Sequence, residues 1–527
     1  MRRLPLVATT LAAALLTAPS AHADEVLAGL PAASGVAAYG GDVAWWAPGR
    51  GGYRLMIHRG DQTSVAGGAA PAARMPRGLT AGPDGRGRIV FAYSRCRGAD
   101  TGCRAFRYVP AAGREYPLNL PGNVTWAAQW RTRLAFVVHV PVKGRETATA
   151  CDVPYAQPLG GAPRRLDRGR CGAVTSLALR GSTIATTVES AAIRDGDPRF
   201  TTQLRTQSAA GGATHVLRTA NSGEESNHYG GAALTATDVY ATHFGLHPST
   251  GFVRVSLKSR RVTEVRAGVG LTGALAVDGA TWAYVSPQEA SDSSCAERLP
   301  CRVTLGPDPF GPSEHALPPA LTQAQPTQSP RATQPYTLDG KLTSTVVRRG
   351  AVVRTQPLAG VRVTLAHVGF PTADTQTEDV QPTGLVTTTG ADGGWAITIP
   401  PPIPAQPFYL PTAETPGAIT SIFQFSTGAA VADITVAASP VTDGSVTLTG
   451  TVDPPQPGRR IEIKAPNGSE TAKALASAPL SADGRSFTVA VPVTGPTRLV
   501  ATLAYVKLGD PGSETSYSGR SRDVSVG

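Results

Sequence analysis

Two short apolar runs hinged on a tight turn recur along the first part of this chain, and the recurrence limits its fold more than any other feature. The clearest copy is Gly273 to Val285, reading Gly-Ala-Leu-Ala-Val-Asp-Gly-Ala-Thr-Trp-Ala-Tyr-Val. Its Asp278-Gly279 step is a turn signal that joins adjacent antiparallel strands. Aligning the second run of each copy gives Val43-Ala44-Trp45, Ile89-Val90-Phe91, Leu134-Ala135-Phe136, Ile184-Ala185-Thr186, Val239-Tyr240-Ala241 and Trp282-Ala283-Tyr284, at steps of 46, 45, 50, 55 and 43 residues. The middle residue is Ala in four copies and the third is aromatic in four, which suits a strand packed closely on both faces. A third strand follows each run, as at Tyr53 to His58 or Phe252 to Leu257, and often a fourth, as at Val262 to Val265.

Four short strands every 40 to 50 residues are the pattern of propeller blades, each of which buries its faces only against the next. A series of hairpins in a sandwich has similar turn spacing but gives no reason for the unit itself to recur. On these runs, residues 24–316 resemble the TolB-like and WD40-like β-propeller superfamily, without the Gly-His and Trp-Asp dipeptides of true WD40 blades. The resemblance implies six blades, or seven if the long interval from Thr186 to Val239 holds another. With Gly 58, Pro 45 and 6% aromatic residues, and no long amphipathic helical period, the predicted fold class is all-β.

Residues 1–23 read as a cleaved secretory signal peptide. Arg2 and Arg3 precede an apolar run, Leu4 to Leu16, too short to span a bilayer, and Ala21-His22-Ala23 is a small-x-small cleavage site before Asp24. The predicted location is therefore secreted or extracytoplasmic, with no membrane-spanning segment in the mature chain. Six cysteines in an exported chain are expected in disulfides, and local order suggests Cys96 with Cys103, Cys151 with Cys171, and Cys295 with Cys301. None of these spacings is the Cys-x-x-Cys of a zinc site. The formal charge of +11 is almost entirely Arg, a compositional bias rather than a nucleic-acid footprint, and Arg164, Arg165, Arg168 and Arg170 read as a solvated loop. Any partner of that charge in an exported protein is an anionic envelope polymer rather than DNA.

Residues 317–334 turn to Pro, Gln, Thr, Ala and Ser and read as a semi-rigid linker. Residues 335–439 then carry Pro357-Leu358-Ala359-Gly360-Val361-Arg362-Val363-Thr364-Leu365 followed by Thr387-Thr388-Thr389-Gly390-Ala391-Asp392-Gly393-Gly394-Trp395. This order resembles the carboxypeptidase-regulatory-like, transthyretin-like sandwich, which implies a non-catalytic spacer. Residues 440–527, with Val446-Thr447-Leu448-Thr449, Ile461-Glu462-Ile463 and Ala482-Asp483-Gly484, resemble bacterial immunoglobulin-like domains.

Nucleophile and phosphate motifs are absent: there is no Gly-x-Ser-x-Gly, Ser-x-x-Lys, phosphate loop or His-Glu-x-x-His. Asp278-Gly279-Ala280-Thr281-Trp282 only partly matches the structural Asp box of sialidases. One patch combines His and carboxylate, types suited to ligation or proton transfer: Glu224-Glu225-Ser226-Asn227-His228-Tyr229 before the fifth repeat and His243-Phe244-Gly245-Leu246-His247 after its second strand. Glu225, His228 and His243 are the candidate binding residues, expected on one exposed face of the ring, with no catalytic residue, metal or cofactor assigned. The sequence thus predicts a secreted, monomeric, non-catalytic binding or scaffolding protein with an unidentified protein or envelope-polymer ligand, no nucleic-acid partner, and the sandwiches as a stalk. The alternative is an exported propeller enzyme acting on carbohydrate, which calls for carboxylates at matching positions in different blades; none was found.

Overall fold

The computed structural model of the 527-residue chain describes residues 22–32, 34–98, 101–141, 150–166, 172–194, 197–222, 228–244, 251–266, 273–286, 300–324, 329–369, 379–405, 409–415, 418–420, 430–466, 473–504 and 517–526. The recurring runs become the second strands of six four-stranded antiparallel sheets. Blade 1 begins with Val36–Tyr39 and Asp42–Gly49, blade 2 with Arg77–Pro83 and Ile89–Arg95, and blade 3 with Val124–Trp130 and Arg133–Pro141. Blade 4 begins with Ala173–Arg180 and Thr183–Arg194, blade 5 with His228–Leu234 and Asp238–Phe244, and blade 6 with Leu275–Asp278 and Thr281–Ser286. The hinge between these strands is a two-residue turn in blade 6, where Asp278 pairs with Thr281 and Gly279 takes the left-handed φ of 60° that glycine adopts without steric cost.

These innermost strands touch in order, and that of blade 6 returns to that of blade 1, making a closed β-propeller. The cores explain why the unit had to repeat. Trp46, Leu55 and Phe91 pack between blades 1 and 2, Val137 and Leu177 between blades 3 and 4, and Val43, Trp45 and Val285 between blades 6 and 1. Among the described residues no blade has a core of its own. Ala44, Ala135, Ala185 and Ala283 are all buried, because a small side chain at mid-strand lets neighbouring sheets approach closely.

The last blade is completed from the far end of the propeller. Glu25–Leu30 pairs antiparallel with Cys301–Pro307 and supplies its outermost strand. Asp24 just before it accepts a hydrogen bond from the Tyr284 hydroxyl at 2.8 Å and lies 3.0 Å from His315 Nε2, with both side chains 3% exposed. Cys96 and Cys103 form a disulfide between the second and third strands of blade 2. Cys151 and Cys301 are also disulfide-bonded, while Cys171 and Cys295 lie outside the described residues. Arg164 and Arg165, expected in a loop, form a short exposed outer strand of blade 3.

The expected linker is corrected. Within 317–334, Ala320–Gln323 is a strand paired with Tyr336–Arg348, and Leu321 and Ala332 are fully buried. The alternating Leu321 and Gln323 enter a core, whereas composition alone registers only the prolines around them. The sheet built on Tyr336–Arg348 shares a core of Leu338, Leu342, Val363, Leu365 and Trp395 with the sheet of Arg362–Gly369, Asp379–Thr388 and Tyr409–Ala413. A second pair of sheets follows, centred on Ser445–Asp453 and Arg460–Lys464, with Val446, Leu448, Ile461 and Ile463 buried between them. Phe310, Leu317 and Val347 join Tyr240 and Trp282 in one cluster, so the first pair of sheets is packed onto blades 5 and 6.

Candidate functional site

All six innermost strands run from the same end of the ring, and at that end lies a cavity of about 740 Å³. Its wall includes Trp126, His139, Asp152, Glu189, His228 and Phe244. Backbone irregularity makes the space. The register slips at Arg77/Thr80 in blade 2, Val124/Trp126 in blade 3, Val174/Ser176 in blade 4 and Tyr229/Ala232 in blade 5. Each bulge leaves extra backbone unpaired and bends the strand, and Gly78, Thr125, Thr175 and Gly230 at these points all line the cavity.

Two of the glycines seat aromatic rings. Gly78 has φ +66°, and a Cβ there would lie 2.9 Å from the Trp126 ring. A Cβ on Gly230 would lie 2.5 Å from Phe244 Cε2 and 2.7 Å from the Gly273 backbone. The rings of Phe244 and His228 stack at 4.4 Å. Trp126 thus packs against blade 2, and the Phe244–His228 pair against the blade 5–blade 6 junction.

The polar groups differ in how far they are committed. His139 Nδ1 lies 2.9 Å from Asp152 Oδ1, and Asp152 Oδ2 accepts from the Val174 backbone N–H at 2.8 Å, which ties blade 3 to blade 4. Glu189 is half-buried, and among the described residues nothing pairs its carboxylate. Thr125 is 3% exposed and its hydroxyl has no partner among the described residues. Burial pushes the His228 imidazole below its ordinary pKa, and the charge that nearby His243 can carry pushes it the same way, so His228 is neutral at pH 7.

The opposite end of the channel is narrow. Tyr39 and Trp130 meet edge to face at 5.4 Å, and the Arg180 guanidinium lies 4.9 Å from the Trp130 ring centroid. Arg180 also sits 3.2 Å from Asp278, which accepts the Gly40 N–H at 2.6 Å. Blades 1, 3, 4 and 6 therefore meet at this end, and the channel there holds a space of only about 60 Å³. The cavity is a funnel that narrows toward this end.

Of the three residues expected to share an exposed face, His228 lines the funnel and Glu225 lies outside the described residues. His243 is corrected: it is 8% exposed, stacks on Tyr229 at 5.0 Å and places Nδ1 2.5 Å from Glu264 Oε1. Adjacent residues of a strand point to opposite faces, so Phe244 takes the funnel side and His243 goes into the sheet packing. His139, Asp152 and Glu189 were missed. A signal existed, since His139, Glu189 and Phe244 each stand five positions after the first residue of their repeat's second run. Two carboxylates at non-matching positions, Asp152 from a third strand and Glu189 from a second, line this cavity.

No protein-family model and no curated protein matches the chain. Among solved structures it is similar to TolB from Acinetobacter baumannii, at 12% identity and TM-score 0.30 over 50% of this chain and 63% of that one. It is also similar to the β-propeller domain of the trilobed protease from Pyrococcus furiosus, at 11% identity and TM-score 0.33 over 52% and 79%. A puromycin-hydrolysing peptidase from Mycobacterium tuberculosis matches at 13% identity and TM-score 0.32 over 61% of each chain.

Proposed function

We propose that the chain is an exported, non-catalytic binding protein whose propeller funnel receives the ligand. In this reading the two C-terminal sheet pairs, a carboxypeptidase-regulatory-like and an immunoglobulin-like sandwich, hold the ring away from its attachment. The observation that carries it is the funnel: a preformed concavity with rings seated by glycines and a few converging polar groups is the form that small-ligand sites take. The tied His139–Asp152 pair supports binding, because Asp152 is already engaged by His139 and by the Val174 amide. Export rests on the basic and apolar leader ending at Ala23 and on the disulfide chemistry.

A second reading, an exported propeller enzyme acting on carbohydrate, is favoured by Asp152 and Glu189 reaching one cavity from two blades. The two readings separate in one experiment. The exported protein, whose N-terminal sequence should begin at Asp24, is incubated with fragments of envelope polymers, and retained and released species are compared by mass spectrometry. Binding predicts fragments retained and recovered intact. Shortened products that disappear in Glu189→Gln would sink the binding reading and promote the enzyme.

A further inference from the structure

The funnel wall offers two kinds of surface at once, and together they select a ligand. Trp126 and the stacked Phe244–His228 pair present ring surfaces on opposite sides of the ring, held in place by Gly78 and Gly230. Between them stands a hydrogen-bonding group that the protein leaves unused, the half-buried Glu189 carboxylate, with no partner among the described residues. A sugar ring matches this combination, since its C–H face covers an aromatic ring while its hydroxyls donate to a carboxylate and exchange hydrogen bonds with a neutral imidazole.

Other classes fit less well. An extended peptide adds to a regular strand edge, and bulges interrupt four of the six innermost strands here. An anionic sugar would meet the unpaired Glu189, and the one cation of the wall, Arg77, is already engaged within the chain. The channel narrows at Tyr39, Trp130, Arg180 and Asp278, so a chain enters the funnel by its end.

We propose that the funnel binds the end of an uncharged glycan chain, taken end-on, with Trp126 as stacking platform and Glu189 as hydroxyl partner. The assignment rests on the binding reading above and specifies its ligand class.

The test is calorimetric titration of the full chain with cellotetraose, an N-acetylglucosamine tetramer, tetragalacturonate and tetra-alanine. One of the uncharged tetrasaccharides should bind, with affinity rising from monomer to trimer and then levelling as the chain leaves the funnel. Trp126→Ala should weaken that binding at least about tenfold, as loss of an aromatic anchor does. Glu189→Gln keeps the shape of a half-buried side chain and should weaken it several-fold, so a misfolded Trp126 variant would not decide the matter. Binding of tetra-alanine or tetragalacturonate alone, lost in Trp126→Ala, would overturn the glycan assignment and leave the binding reading standing. No binding of any probe would overturn both. Uncharged glycan binding that survives both substitutions would place the site elsewhere and overturn the assignment.

Discussion

His228 and His243 stand on one hairpin and face different worlds. His243 is absorbed by Tyr229 and Glu264 inside blade 5, whereas His228 keeps its imidazole on the funnel wall. Because burial holds the folded His228 pKa below 6.5, the unfolded chain takes up that proton first as pH falls. The His228 contribution to stability is therefore complete above pH 6.5 and declines through the interval between 6.5 and the lower folded value. Urea midpoints across this range should fall with pH in the wild type and fall less in His228→Gln. A midpoint that instead rose would mean the charged imidazole is the one the fold favours. Residues of this kind were only half legible: residue type marked His228 as a candidate, but whether a side chain turns to the funnel or into the sheet depends on strand register, which the loops between repeats conceal.

At the scale of elements, the sequence was most informative where one pattern governs packing. Ala135-Phe136 and Ala283-Tyr284 announce a strand buried on both faces, and they are so buried. It was least informative where a tertiary partner decides. Ala320–Gln323 is too short and too proline-flanked to read as a strand, and it becomes one because Tyr336–Arg348 offers an edge. Replacing Leu321, which is fully buried, with Ala should therefore cost about 2–5 kcal/mol, measurable by denaturant unfolding. A change below about 0.5 kcal/mol, usual for exposed sites, would restore the linker. The funnel was invisible for a related reason. It is made by register slips such as Val124/Trp126 and Val174/Ser176, which add one residue to a strand without altering its apolar pattern. His139 and Asp152 face each other only because their strands pair.

For the molecule as a whole, the ring is held shut by its first strand. Glu25–Leu30 fills the edge of Cys301–Pro307, and Asp24, His315 and Tyr284 lock the joint in a buried cluster. Removing His315 would leave Asp24 with the Tyr284 hydroxyl alone, and losing a partner of a buried polar group costs about 1–3 kcal/mol, so His315→Ala should lower the melting temperature accordingly. The joint also imposes an order in time. As the chain emerges from N- to C-terminus, Glu25–Leu30 appears first and finds its partner last, after every other blade strand exists. Contacts between such distant segments are slow to form, and until they do the edge of Cys301–Pro307 stands open to any passing strand. A chain that starts at residue 31 should therefore associate with itself, and a synthetic peptide of residues 25–30 should return it to the monomer by occupying the vacant edge in trans.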